Sequence, residues 1–186
     1  HGQSHQSNDA RLYRFGSEVS EPCLPGRSSS AQAGSGSVTD KLLVRGAGLM
    51  GSSIGLAAKE KGWEVRIDDV DMATAEASAA VTGLPVLGDG FSPDVVVVAV
   101  PPMVVAEVVS ESLRIYPQSI VIDISSVKTE LKLKVESLFG ISDKYVPTHP
   151  MAGKAVGGAI NASVDLLMDR RWVLCPSEHT SCDQLS

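Results

Sequence analysis

The sequence predicts an α/β protein: a doubly wound, mostly parallel sheet with helices on both faces. Three observations lead there. From residue 41 onward, short apolar runs alternate with helix-length segments, the pattern of successive βαβ units. One of those runs, Asp94–Val100, is a continuous β-branched stretch suited to a parallel strand covered on both sides. The run Lys41–Arg45 also meets Gly46-Ala47-Gly48-Leu49-Met50-Gly51, a Gly-x-Gly-x-x-Gly turn leading directly into a helix-like segment.

The elements follow in order. Leu42–Arg45 reads as a strand. Leu49–Lys61 reads as a helix, with Ile54, Ala57, Ala58 and Lys61 on one face and Gly62 as its stop. Glu64–Asp69 is the next strand and Met72–Val81 an Ala-rich helix ending at Thr82-Gly83. Pro85–Leu87 is a candidate short strand. Asp94–Val100 is closed by Pro101-Pro102, and Met103–Leu113 is a helix. Ser119–Ile124 is a buried strand, Lys128–Phe139 an amphipathic helix and Lys144–Thr148 a strand ending at His149-Pro150. Ala159–Met168 is expected as a short helix or loop and Trp172–Leu174 as a last strand. Right-handed crossovers place the C-terminal ends of the parallel strands along one edge, where ligands bind.

Residues 1–39 differ in character. They are rich in Ser, Gly, Gln and Pro and read as a disordered or leader segment, with residues 40–176 as the folded domain and 177–186 as a tail. The 186 residues carry a net charge of -6, which argues against nonspecific nucleic-acid binding and against an anionic membrane surface. The apolar run beginning at Val95 is far too short to span a bilayer. Cys23, Cys175 and Cys182 have no CxxC or metal-ligand spacing, so reduced thiols in a cytoplasmic protein without a metal site are expected.

The glycine turn suits a dinucleotide. Gly46 permits the tight turn, Gly48 lets backbone approach a pyrophosphate, and Gly51 lets the helix pack against the strand. Leu49 and Met50 open that helix, whose N–H groups and dipole favour phosphate. Asp69, 18 residues after Gly51, stands at the tip of the second strand. A carboxylate there accepts hydrogen bonds from the adenosine ribose and repels a 2′-phosphate, favouring NAD over NADP. Asp68 competes for the role, and Arg66 could meet a 2′-phosphate but lies mid-strand. Arg45, a charge at the end of a buried strand, needs a partner or solvent.

The other strand ends carry polar groups. Val100 and Pro101 are expected beside the cofactor through their backbone, with Ser125 nearby. Ser125-Ser126-Val127-Lys128 and His149-Pro150-Met151-Ala152-Gly153 close the following strands. A histidine can take the proton of a hydroxyl as hydride leaves. Ser126 could bond the same oxygen or fix the imidazole. The bland alternatives are a backbone-capping His149, helix N-capping by Ser125 and Ser126, and a solvated Lys128.

In their order and spacing across residues 41–176, these segments resemble the prephenate/arogenate dehydrogenase family. The His-Pro-Met-Ala-Gly segment is the most discriminating, since many Rossmann dehydrogenases share only the glycine turn. The resemblance implies oxidative decarboxylation of prephenate to 4-hydroxyphenylpyruvate with NAD⁺ in tyrosine biosynthesis. His149 would be the histidine that accepts the proton of the ring hydroxyl, and Ser126 the serine assisting at that oxygen. Arogenate is the sister substrate. The family continues into an all-helical domain that makes the homodimer and supplies a substrate-binding arginine. This chain stops at Ser186, so that domain is expected to be missing, with NAD binding but little turnover. Lys154-Ala155 also stand where many members carry a hydroxyl and then an acid. A non-catalytic NAD-binding module and a different Rossmann reductase are the remaining readings.

Overall fold

A computed structural model describes residues 11–14 and 39–175. The rest of the expected leader, the tail 177–186, Cys23, Cys182, His1, His5 and His179 lie outside those residues. The strands are β1 (Arg11–Arg14), β2 (Lys41–Arg45), β3 (Glu64–Asp68), β4 (Val95–Val98), β5 (Ile120–Asp123), β6 (Tyr145–Pro150) and β7 (Arg171–Leu174). The helices are α1 (Leu49–Glu60), α2 (Met72–Thr82), α3 (Val105–Ile115) and α4 (Thr129–Leu138).

The strands form one sheet in the order β1-β7-β6-β5-β4-β2-β3. From β3 through β6 all pairings are parallel, while β7 runs antiparallel to β6 and β1 antiparallel to β7. The order reverses between β2 and β4, the switch point at which an open α/β sheet leaves a crevice. The backbone pairing of Arg11–Arg14 puts an edge strand inside the stretch read as a leader.

The sheet is covered on both faces because its central strands are apolar on both. Leu43, Val96, Val98 and Val121 pack against Val105, Val109 and Leu113 of α3 and Leu131 and Val135 of α4. Leu42, Val44, Val65, Ile67 and Val97 pack on the other side against Ile54 and Ala57 of α1, with Ala79 of α2 at its margin. Burying each of the larger side chains contributes about 1.5–3 kcal/mol. Asp71 caps α2 by accepting from the Ala73 N–H, and Gly83 ends it with φ of 66°.

One expected element is smaller than read, and one left open between helix and loop is settled. Pro85–Leu87 shrinks to a single parallel bridge between Val86 and Ile67, because Pro85 has no N–H to extend the ladder. Ala159–Met168 forms two short 3-10 turns, Ala159–Asn161 and Val164–Leu166. Gly158 (φ 86°) bends the chain before them, and buried Leu166 and Leu167 tie the segment down. α3 starts later than expected, since Pro101–Val104 form a turn closed by the Val104 N–H on the Pro101 carbonyl.

Candidate functional site: the glycine turn and the β5 and β6 ends

The turn between β2 and α1 is built from glycines with separate duties. Gly46 has φ of 108°, and a Cβ there would lie 2.5 Å from the Ala99 carbonyl oxygen. At Gly51 a Cβ would lie 2.0 Å from the Gly46 carbonyl oxygen and 2.9 Å from Val44. Both contacts demand glycine for the fold itself. Gly48 is the exception: a Cβ there would meet nothing within 4 Å. Gly48 is also the N-cap of α1, with no side-chain cap and no acid in the first turn. The opening N–H groups, at Leu49 and Met50, therefore face a cleared space with a favourable dipole. That is the geometry that would receive a pyrophosphate.

The two acids at the tip of β3 divide sharply. Asp68 accepts from Arg45 Nε at 3.1 Å, while Arg45 also reaches Glu111 at 2.8 Å and Ser112 Oγ at 3.0 Å. Arg45, 17% exposed, is thus satisfied on both sides, and Asp68 is committed to it. Asp69 instead accepts the Ala47 N–H at 2.9 Å through one oxygen and the Asp71 N–H at 3.1 Å through the other. Its carboxylate is fixed against the glycine turn and keeps lone pairs for hydroxyl donors. Arg66 pairs with Glu64 at 2.9 Å and lies over the Phe91 ring, in a cleft that Lys41 and Glu64 line from the strand starts. Ala99 packs under the turn, so Val100 and exposed Pro101 follow directly beside it.

At the β5 end, Asp123 is 0% exposed. One carboxylate oxygen accepts from the Ser125 N–H at 2.8 Å and from Lys128 Nζ at 2.5 Å. The other accepts from the Tyr145 hydroxyl at 2.9 Å. Lys128 is 18% exposed, so it is a counterion inside the domain rather than a solvated helix start. Burial pulls its ammonium below the ordinary lysine range, against the pull of Asp123. Burial and then Asp123 push the Tyr145 phenol far above the ordinary value, so it stays protonated. Neither serine caps α4, whose N-cap is Lys128; the Ser125 hydroxyl accepts the Val127 N–H within the loop.

His149 is half-buried at the end of β6, with Nδ1 3.3 Å from the Ile124 carbonyl oxygen. Among the described residues no hydrogen bond joins Ser126 to His149, and Ser126 stands exposed on the same loop. The expectation that Ser126 fixes the imidazole is thus not met here; a backbone carbonyl does so. Asp123, Thr148 and Tyr145 went unread as site residues. The available signal was an acid in an otherwise apolar strand, which must find partners.

Doubly wound topology, a switch point and a glycine turn at a bare helix start define a nucleotide-binding domain of the Rossmann type. Residues 54–186 match the family model described as prephenate dehydrogenase, nucleotide-binding domain, starting just past the glycine turn. The chain belongs to that family. A probable prephenate dehydrogenase of Streptomyces niveus is 28% identical over 144 residues, covering 77% of this chain and 40% of that protein. Prephenate dehydrogenase of Lactococcus lactis is 29% identical over 142 residues, covering 72% and 40%. The chain therefore spans about 40% of the length of these curated relatives. Among solved structures, prephenate dehydrogenase from A. aeolicus in complex with hydroxyphenyl propionate and NAD⁺ superposes with a TM-score of 0.69 at 22% identity, covering 79% of this chain and 54% of that one. Synechocystis arogenate dehydrogenase gives 0.69 at 25% identity, covering 78% and 53%. Among the described residues no helix is long and apolar enough to cross a membrane.

Proposed function

We propose that this chain is the dinucleotide-binding part of an enzyme that oxidises prephenate with NAD⁺ to 4-hydroxyphenylpyruvate and CO₂. The observation that carries the reading is the arrangement of one sheet edge. There an open glycine turn stands at the switch point, and three strands away His149 is held by a carbonyl at Nδ1. Gly46, Gly48, Leu49, Met50 and Gly51 would hold the pyrophosphate. Asp69 would hold the adenosine ribose and turn away a 2′-phosphate, which makes NAD the cofactor over NADP. Val100, Pro101 and Ser125 would flank the nicotinamide end.

NAD⁺, when bound, supplies the hydride acceptor for ring C4. His149 takes the proton of the ring hydroxyl, and Ser126, with its hydroxyl uncommitted, donates to or accepts from the same oxygen. The ring carboxylate leaves as CO₂, and its bonding electrons complete the aromatic ring. Gaining that aromaticity drives the reaction, so the residues position and polarise rather than force the chemistry. Arogenate is the second reading, favoured by the equal likeness to the Synechocystis enzyme.

The test uses calorimetric titration of the chain with NAD⁺ and NADP⁺, and NADH formation in a chain extended by the C-terminal part of a relative. NAD⁺ should bind residues 1–186, while prephenate oxidation should need the extension. In the extended chain, His149→Asn should lower turnover by about 10²–10⁴-fold and spare NAD⁺ affinity. Equal loss of both would make His149 structural.

A further inference from the structure

A neutral imidazole carries one N–H and one lone pair, whereas a carbonyl oxygen only accepts. With the Ile124 carbonyl 3.3 Å from Nδ1, the proton of neutral His149 belongs on Nδ1 and the lone pair on Nε2. The position of that carbonyl thus decides which nitrogen can act as base. Ile124 lies between Asp123 and Ser125, and Asp123 is bound from every side. Its carboxylate holds the Ser125 N–H, Lys128 and the Tyr145 hydroxyl, and its carbonyl accepts the Thr148 hydroxyl at 2.6 Å. Tyr145 and Thr148 belong to β6, the strand that carries His149. The carboxylate and the carbonyl of one residue therefore tie the residue just before Ile124 to the His149 strand, and the same carboxylate holds the Ser125 N–H just after it.

We propose that Asp123 is a positioning residue that, with Tyr145 and Thr148, holds the Ile124 carbonyl against His149 and so sets its tautomer, leaving Nε2 as the proton acceptor. This rests on the reading of His149 as the base, and it adds what makes His149 competent. Asp123 touches no substrate; it acts through backbone.

Imidazole ¹⁵N NMR on the full 186-residue chain tests it, at a pH where histidine is neutral, with the His149 signals assigned by their loss in His149→Asn. The wild-type chain should show His149 protonated at Nδ1. Thr148→Val and Tyr145→Phe should each raise the Nε2-protonated share at least twofold, and Thr148→Ser should restore the wild-type ratio. Asp123→Asn should shift it furthest. Should that variant fail to fold, the Thr148 and Tyr145 variants decide, their folding checked by melting. A wild-type His149 protonated mainly at Nε2 overturns the proposal, as does an unchanged ratio in folded Thr148→Val and Tyr145→Phe. NAD⁺ titration of the same samples separates the two readings. A chain that fails to bind NAD⁺ counts against the function proposed above, while the tautomer is read without cofactor.

Discussion

Gly48→Ala separates what the turn does for the fold from what it does for a ligand. The Gly48 backbone, with φ of -78° and ψ of -167°, is open to any L residue, and an added methyl would meet no protein atom within 4 Å. The fold should feel two small opposing effects: a reduced unfolded-state entropy and a poorer N-cap. Each is below about 1 kcal/mol, so the melting temperature should move by only a few degrees. A ligand should feel far more, because the methyl occupies the space through which phosphate oxygens reach the Leu49 and Met50 N–H groups. Loss of one charge-assisted hydrogen bond is worth about 1.5–3 kcal/mol, or roughly ten- to hundredfold in Kd. Gly51→Ala should do the reverse. Its methyl would lie 2.0 Å from the Gly46 carbonyl, backbone that cannot swing aside. Overpacking there should cost at least about 1–3 kcal/mol of stability. Calorimetric titration with NAD⁺ and a thermal melt on the same samples read both effects. Unaltered NAD⁺ affinity in Gly48→Ala would refute the placement of the pyrophosphate on this turn.

Asp69→Ser should raise NADP⁺ use relative to NAD⁺ in the extended chain; an unchanged preference would move the ribose contact elsewhere. Arg45→Met strands Asp68 without its donor, while exposed Glu111 loses little. Urea unfolding should show a loss of about 1–3 kcal/mol, and no loss would mean the pair is replaced by water. For Tyr145, the folded pKa lies above the unfolded value of 10.0. Its contribution to stability is therefore complete below about pH 10 and is lost as pH rises beyond it, because only the unfolded chain gives up the proton there. Lys128, lowered by burial, contributes with the opposite sign below its ordinary 10.5. Tyr145→Phe should flatten the alkaline fall in stability, and an ordinary phenol titration of Tyr145 in the folded chain would contradict its burial.

The β2–α1–β3 unit was legible because its signals are local. Three glycines at fixed spacing, an apolar run before them and an acid at the next strand tip are all read without knowing what packs on what. Alternation alone separates Asp68 from Asp69, whereas the commitment of Asp68 to Arg45 needs the register of two strands. The Asp123 cluster was illegible for the same reason carried further. Tyr145 lies 22 residues away in sequence and Thr148 25, and nothing local says that β6 lies beside β5. Lys128, for which a solvated helix start is the bland alternative, is drawn inward by a carboxylate that pattern reading treats as one more strand residue. The stretch between β6 and β7, expected as a short helix or loop, is two short 3-10 turns following Gly157-Gly158, a choice that the pattern alone leaves open.

That stretch touches α1, the helix that the glycine turn opens. The Ser163 N–H donates to the Ser53 hydroxyl at 3.1 Å, across 110 residues of sequence, and Ser53 lies in the first turns of α1 behind the glycines. The segment that leaves His149 is thus latched to the helix that would receive phosphate. Coupling between two such sites is reciprocal. Occupancy of the turn, by steadying α1, should guard residues 151–170 against protease, and loosening that segment should weaken the grip on cofactor by the same factor. A cleavage assay on this excursion would then serve as an occupancy gauge for a turn on the far side of the latch.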